Sequence, residues 1–142
     1  MKAYFGRRYL LSASHRLHTE ELSEEGNRAA YGKCNNPHGH GHNYVIEALV
    51  KGDVDRETGM VINLADLDEV VRTRVLERFD HTNLNLDSLF VNRVPTTENL
   101  CKAIFVLLRD ALPAGELESV RVEETENNFF QCDSVIEDFG MA

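Results

Sequence analysis

The strict alternation that begins at His42 constrains this chain most. Tyr44, Ile46, Ala48 and Val50 fall on one parity, and Asn43, Val45, Glu47 and Leu49 on the other. Successive Cβ atoms on a strand point to opposite faces, so residues 42–54 read as a half-buried β-strand. Whatever leads into that strand is aimed with one of its faces. What leads in is Cys34-Asn35-Asn36-Pro37-His38-Gly39-His40-Gly41-His42, one cysteine and three histidines within nine residues. Packing gives no reason for that density. Chemistry does, because histidine is the commonest protein metal ligand and a cysteine near a cation becomes a useful base or nucleophile.

The other elements follow from periodicity and punctuation. Residues 3–15 alternate loosely and are rich in Tyr, Phe and Leu, which predicts a first strand. Residues 19–37 are polar and rich in Glu, Asn and Gly, and read as a long loop, a length that usually serves function. After a turn at residues 55–59, Asn63 opens a helix running to about Phe79. Its apolar positions Leu64, Leu67, Val71, Val75 and Phe79 step by three and four. A second loop, 80–95, precedes a helix capped by Thr96 or Thr97, carrying Leu100, Ile104, Leu107, Leu108 and Ala111, and ending at Pro113-Ala114-Gly115. Residues 117–125 and 129 to about 136 give two more strands. The order β-β-α-α-β-β predicts an α+β fold, a four-stranded antiparallel sheet with two helices on one face. Its two open edges would have to be covered or paired with another chain, so joining of sheets between subunits is expected.

Nothing divides the 142 residues, and one domain spanning 1–142 is the natural reading. The formal charge of −9 argues against non-specific nucleic-acid binding, yet a local pocket can still be basic. No apolar run is long enough to span a membrane, and the first eight residues lack the apolar core of a signal peptide. Cys34, Cys101 and Cys132 form an odd, sparse set, which points to a reducing cytoplasm and away from a disulfide framework.

Four places could carry chemistry. His40 and His42 lie two apart on a strand and share a face, and His15 ends the neighbouring strand. Together they supply the three protein ligands of a catalytic zinc site with an open position. His38 is the weakest ligand candidate, and His18 reads as a surface residue. Cys34 sits in a polar loop at a spacing unlike that of a zinc finger, which assigns it to acid–base work. Cys101 and Cys132 read as packing residues. Asp80-His81 is either an oriented imidazole or a helix end with a favourable histidine. Glu124 continues the apolar parity of Val120 and Val122, so it either holds a ligand or reaches solvent at a strand end. A carboxylate there could accept two N–H donors from a heterocycle. Thr96, Thr97 and Glu98 form an ordinary helix start that also presents hydroxyls and a carboxylate.

These motifs resemble the 6-pyruvoyl-tetrahydropterin synthase family over nearly the whole chain. The match runs through Ser12-Ala13-Ser14-His15-Arg16-Leu17, Gly32-Lys33-Cys34-Asn35-Asn36-Pro37 and Gly39-His40-Gly41-His42-Asn43-Tyr44. It continues through Thr58-Gly59-Met60-Val61, Asp80-His81, Thr96-Thr97-Glu98-Asn99 and Glu124-Thr125. The resemblance implies the tunnelling fold, in which sheets join into a barrel and two trimers stack as a hexamer. It implies a zinc ion on His15, His40 and His42, with Cys34 as the proton-abstracting base. Asp80 and His81 would form a relay supplied by a neighbouring subunit. Glu124 would anchor the pterin ring, with Thr96, Thr97 and Glu98 lining the pocket. The implied reaction turns 7,8-dihydroneopterin triphosphate into 6-pyruvoyl-tetrahydropterin by triphosphate elimination and internal redox rearrangement, for tetrahydrobiopterin synthesis. Magnesium would sit on the triphosphate. Zinc is a Lewis acid without redox chemistry of its own, so such a rearrangement needs an acid and a base, roles that Cys34 and Asp80-His81 suit.

A sister branch makes 6-carboxy-tetrahydropterin for queuosine synthesis and places its cysteine closer to a His-Gly-His. The extra His38 lets this chain fit that register too, although His40-Gly41-His42-Asn43-Tyr44 leads directly into the strand. A non-catalytic zinc protein and a Cys–His hydrolase acting by covalent attack are the readings from other classes.

Overall fold

β1 (Lys2–His15) and β2 (His40–Asp53) pair antiparallel along their whole length, from Lys2 opposite Asp53 to His15 opposite His40. A computed structural model describes residues 2–136 and 139, and the expected single unit 1–142 extends past these at both ends. β4 (Glu116–Thr125) pairs antiparallel with β2, and β5 (Asn128–Cys132) with β4. Between Phe79 and Thr97, the two-residue β3 (Thr82–Asn83) pairs parallel with Ala13 and Ser14 of β1. The sheet is therefore five-stranded and mixed, in the order β3-β1-β2-β4-β5, and not the four antiparallel strands expected. The α+β class stands. So short a strand leaves no alternation to read, and it forms because the chain after Phe79 turns back beside β1.

Helices follow their caps. Ser23 accepts from Gly26 N and opens α1 (Glu24–Tyr31), with Glu24 and Glu25 in its first turn and Gly32 after it at φ 57°. This helix replaces part of the loop expected over 19–37. Its exposed faces and Gly26 left no apolar stripe to signal it. The buried Asn27 side chain donates to the carbonyls of Thr19, Leu22 and Ser23 and accepts from Thr19 N, tying the helix to its own approach. Asn63 caps α2 (Leu64–Val71) through Ala65 N and Asp66 N. The helix then widens into a π-turn at Arg72–Leu76 before α3 (Glu77–Phe79), so the expected 63–79 helix is present but interrupted. α4 (Thr97–Arg109) is capped by Thr96, which accepts from Asn99 N. β5 ends at Cys132, short of residue 136.

The core lies between one sheet face and the helices. Leu11, Tyr44, Ile46, Ala48, Val50, Val120 and Val122 from the strands meet Leu67, Val71, Val75, Phe79, Leu100, Ile104 and Leu108 from the helices. The apolar parity of β2 thus faces α2–α4 as the alternation requires. The opposite sheet face carries Tyr4 and Leu10, both exposed, with the Arg8–Glu47–Arg121–Glu123 chain of ion pairs. Among the described residues no helix is long and apolar enough to cross a membrane.

Candidate metal and active site

The β1–β2 register sets His15 directly opposite His40, and Ala13 opposite His42, so all three imidazoles rise from the helix-covered face at one end of the sheet. Gly39 makes the approach possible. Its φ is 72°, and a Cβ there would stand 2.8 Å from the His15 carbonyl oxygen. His40 Nε2 and His42 Nε2 lie 2.9 Å apart, and the His15 ring centroid is 4.9 Å from that of His40 and 5.1 Å from that of His42. Two nitrogens on one tetrahedral zinc at bonds of about 2.05 Å would stand roughly 3.3 Å apart, so the pair is set near ligating distance.

His15 is buried, and its Nδ1 lies 2.8 Å from the Pro95 carbonyl oxygen and 3.2 Å from Tyr44 Oη. Donation to Pro95 places the proton on Nδ1 and leaves the Nε2 lone pair bare. That Nε2 is buried and has no hydrogen-bond partner among the described residues. A buried polar atom without a partner is costly, and a metal ion in the cluster removes that cost. Burial lowers the pKa of both His15 and His42, which keeps them in the neutral form that coordinates. Two groups of ligand atoms lie within 4.8 Å of one another: His15 with Cys34 and His40, and His15 with His42 and Glu124. The chain therefore carries a His/Cys/His group able to hold a metal.

Glu124 reaches the cluster because β4 is irregular between Glu123, opposite Phe129, and Thr125, opposite Asn128. Such an extra residue re-aims its side chain. Glu124 Oε2 accepts from Thr97 Oγ1 at 2.6 Å, and Oε1 lies 3.4 Å from Asn128 Nδ2 and 3.9 Å from His42 Nε2. Burial pulls this carboxyl's pKa upward, but the Thr97 hydroxyl, His42 and Asn128 outweigh it and hold it below its ordinary value. Cys34 is half-buried at the end of a 3-10 turn (Gly32–Asn35), and burial, then Glu124, raise its thiol pKa. A cleft of about 520 Å³ opens before His40 and His42, with Lys33 and Asn36 on its wall.

Thr97 touches the cluster through Glu124, and most of the other expected residues lie apart from it. Asp80 Oδ1 accepts from Ser12 N at 2.8 Å, and Oδ2 stands 3.0 Å from His81 Nδ1. His81, at φ 61°, donates its backbone N–H to Ser12 O at 2.6 Å and leaves its side chain 81% exposed. This oriented imidazole borders a recess of about 430 Å³ with Ser12, Ser14 and Asn43. It makes no hydrogen bond to the cluster among the described residues. Thr97 is buried against Glu124, Thr96 serves as the helix cap, and Glu98 is exposed. His38 is exposed, and His18 is half-buried between Asn35 and Glu20. Cys101 packs in the core, its Sγ 3.7 Å from that of Cys132. Sequence reasoning missed Tyr44 as a partner of His15 and Thr97 as the donor to Glu124. The signal for the first was available, since a buried tyrosine hydroxyl needs a partner. The second depends on how α4 crosses β4.

The chain is similar to known proteins in sequence and fold. The family model described as 6-pyruvoyl tetrahydropterin synthase matches residues 5–134. A human protein named 6-pyruvoyl tetrahydrobiopterin synthase is 47% identical over 128 residues, covering 89% of this chain and 88% of that one. A Drosophila melanogaster protein of the same name is 46% identical over 128 residues, 89% of this chain and 76% of that one. The solved structure of Caenorhabditis elegans 6-pyruvoyl tetrahydropterin synthase aligns with a TM-score of 0.90 at 39% identity, over 95% of this chain and 97% of that one.

Proposed function

The chain belongs to the 6-pyruvoyl tetrahydropterin synthase family, and from that premise we propose that it is a zinc-dependent carbon–oxygen lyase. Its substrate is 7,8-dihydroneopterin triphosphate, and its product 6-pyruvoyl-tetrahydropterin, formed by triphosphate elimination and internal redox rearrangement in tetrahydrobiopterin synthesis. The observation that supports this reading is the buried His15 Nε2, without a hydrogen-bond partner among the described residues, beside the paired Nε2 atoms of His40 and His42. His15, His40 and His42 would hold the ion. Bound there, zinc supplies Lewis acidity toward the hydroxyls of the substrate side chain and so toward the neighbouring C–H.

The chain's own residues do the rest. Cys34, in the same reach as His15 and His40, would take the proton as its thiolate, the form that the zinc charge would favour against burial and Glu124. Glu124 receives two ring N–H groups of the pterin, and Thr97 fixes its orientation by donating to Oε2. Thr96 and Glu98 would border the pocket. Asp80 holds His81 by Nδ1, which turns Nε2 outward as the group that exchanges the second proton. Because that imidazole faces solvent, it would serve a neighbouring subunit's cleft. In this reading the functional unit would be a cytoplasmic homohexamer, two trimers of single pterin-synthase-like domains spanning 1–142, with magnesium on the triphosphate.

The position of His38 bears on the sister reaction. It is exposed and outside both metal-capable groups, which favours the His40-Gly41-His42 register over the one that would suit a 6-carboxy-tetrahydropterin synthase. Incubation of zinc-loaded protein with 7,8-dihydroneopterin triphosphate and magnesium, followed by mass spectrometry, tests the assignment. A pyruvoyl product with free triphosphate is expected. A carboxy product with acetaldehyde would move the protein to the sister reaction. No turnover despite bound zinc would make the site structural.

A further inference from the structure

Cys101 and Cys132 take no part in the proposed chemistry, yet their sulfur atoms touch. Both are thiols, and Cys101 Sγ lies 3.7 Å from Cys132 Sγ. They stand 31 positions apart in sequence and come from different layers, Cys101 from α4 and Cys132 from the end of β5. Packing alone would be served by any small apolar pair. Two thiols in van der Waals contact are also one two-electron oxidation away from a covalent link. In a reducing compartment such a pair rests as thiols and closes only transiently.

The two sulfurs differ in access. Cys101 is buried, its Sγ 3.2 Å from the Val120 carbonyl oxygen of β4 and 3.6 Å from the Phe130 carbonyl oxygen of β5. Its bond with Cys132, and then burial, push its thiol pKa up, so it rests protonated. Cys132 is half-buried and reaches solvent, with its Sγ 4.0 Å from the Cys101 carbonyl oxygen. An oxidant therefore meets Cys132 first, and the sulfur behind it stands ready to resolve the product.

The location gives the link a consequence. Thr97 and Cys101 lie one helical turn apart on the same face of α4. Thr97 donates to Glu124 at 2.6 Å, and Asn128 at the start of β5 lies 3.4 Å from the same carboxylate. Cys101 thus holds α4 against β4 and β5 beside the bond that fixes Glu124. A disulfide requires about 2.05 Å between its sulfurs, so closing it draws α4 and β5 together at that place.

We propose that Cys101 and Cys132 form a reversible dithiol–disulfide site for hydrogen peroxide, coupled through Thr97 to the carboxylate of Glu124. The coupling rests on the reading of Glu124 as the anchor of the pterin ring. In the first step the Cys132 thiolate attacks one peroxide oxygen, the O–O bond breaks and hydroxide leaves, giving a sulfenic acid. In the second the Cys101 sulfur attacks the Cys132 sulfur and the S–O bond breaks, the departing hydroxide taking the Cys101 proton as water. The two thiols lose two electrons between them, and the peroxide ends as two waters.

Zinc-loaded Cys34→Ser protein, which lacks the third thiol, tests this by treatment with hydrogen peroxide and digestion without reductant. Mass spectrometry should find the Cys101 and Cys132 peptides linked, and dithiothreitol should separate them. Adding Cys132→Ser, a change at a half-buried position, should abolish the link. Adding Cys101→Ala instead should stop Cys132 at the sulfenic acid, trapped by dimedone. Calorimetric titration with 7,8-dihydroneopterin should show affinity about tenfold weaker in the linked protein, the value of one lost hydrogen bond to a charged group, and restored by dithiothreitol. No linked peptides in the Cys34→Ser protein would overturn the site. Equal dihydroneopterin affinity in the linked and reduced forms would overturn the coupling. Failure of the reduced protein to bind dihydroneopterin would overturn the pterin reading and leave the peptide link to judge the dithiol site by itself.

Discussion

His15 is the residue on which the site turns. Its Nδ1 is occupied by Pro95 and Tyr44, its Nε2 is buried without a hydrogen-bond partner among the described residues, and its pKa is lowered by burial. A histidine so placed has one useful form, a neutral ring offering Nε2 inward. Glu124 is fixed in the same manner by a single short bond from Thr97. Thr97→Val keeps the shape and removes the donor. KM for the pterin substrate should rise about tenfold with zinc content unchanged, read by steady-state kinetics beside metal analysis. An unchanged KM would show that Thr97 does not orient the carboxylate. At this scale much was legible in the sequence. Residue parity put His40 and His42 on one face, and the expected antiparallel pairing brought His15 to them. The Thr97–Glu124 bond was not legible, because two elements meet there through a strand irregularity that no spacing rule encodes.

Elements position these residues through a few backbone decisions. Gly39 lets β2 start beside the end of β1, and its left-handed φ and 2.8 Å approach exclude a side chain. Gly39→Ala should cost about 1–2 kcal/mol or more, measured by denaturant unfolding, and lower the zinc stoichiometry. A variant with wild-type stability and full zinc would show that the junction tolerates movement. The segment leading to α4 is pinned by Asp87, which accepts from Arg78 Nε and Nη2 at 2.9 Å and from Leu89 N. Burial pushes the Asp87 pKa up, but the Arg78 bonds and the Leu89 N–H outweigh it and leave it lowered. A carboxyl lowered on folding stabilises the fold above its unfolded pKa, and that contribution is lost as pH falls through the folded value. The stability gap between wild type and Asp87→Asn should therefore be constant near neutrality and close below about pH 4. A gap that widened on acidification would refute it. The long strands and helices were readable from their periods. α1 and β3 were not, being short and polar, with stability drawn from caps and neighbours.

The whole molecule leaves an oriented dyad facing outward. Asp80 and His81 are held rigidly against Ser12, yet the imidazole is 81% exposed and makes no hydrogen bond to its own chain's cluster among the described residues. If a neighbouring subunit's cleft receives it, Cys34→Ala and His81→Ala are each inactive alone and complement each other. Mixed oligomers, re-formed from the two variants, should recover a measurable fraction of wild-type triphosphate release. No recovery, with mixing verified by native mass spectrometry, would place the whole site within one chain. The open face of the sheet, with Tyr4 and Leu10 exposed, is where such association would begin.

The most direct test of the division of labour is one side-by-side measurement on His40→Ala and Cys34→Ala, of zinc per chain by elemental analysis and of triphosphate release. The account requires His40→Ala to lose both zinc and turnover. It requires Cys34→Ala to keep a full complement of zinc while turnover falls by about 10²- to 10⁴-fold, the range of a lost general base. Cys34→Ala that turns over at the wild-type rate, or His40→Ala that still holds zinc, would contradict it.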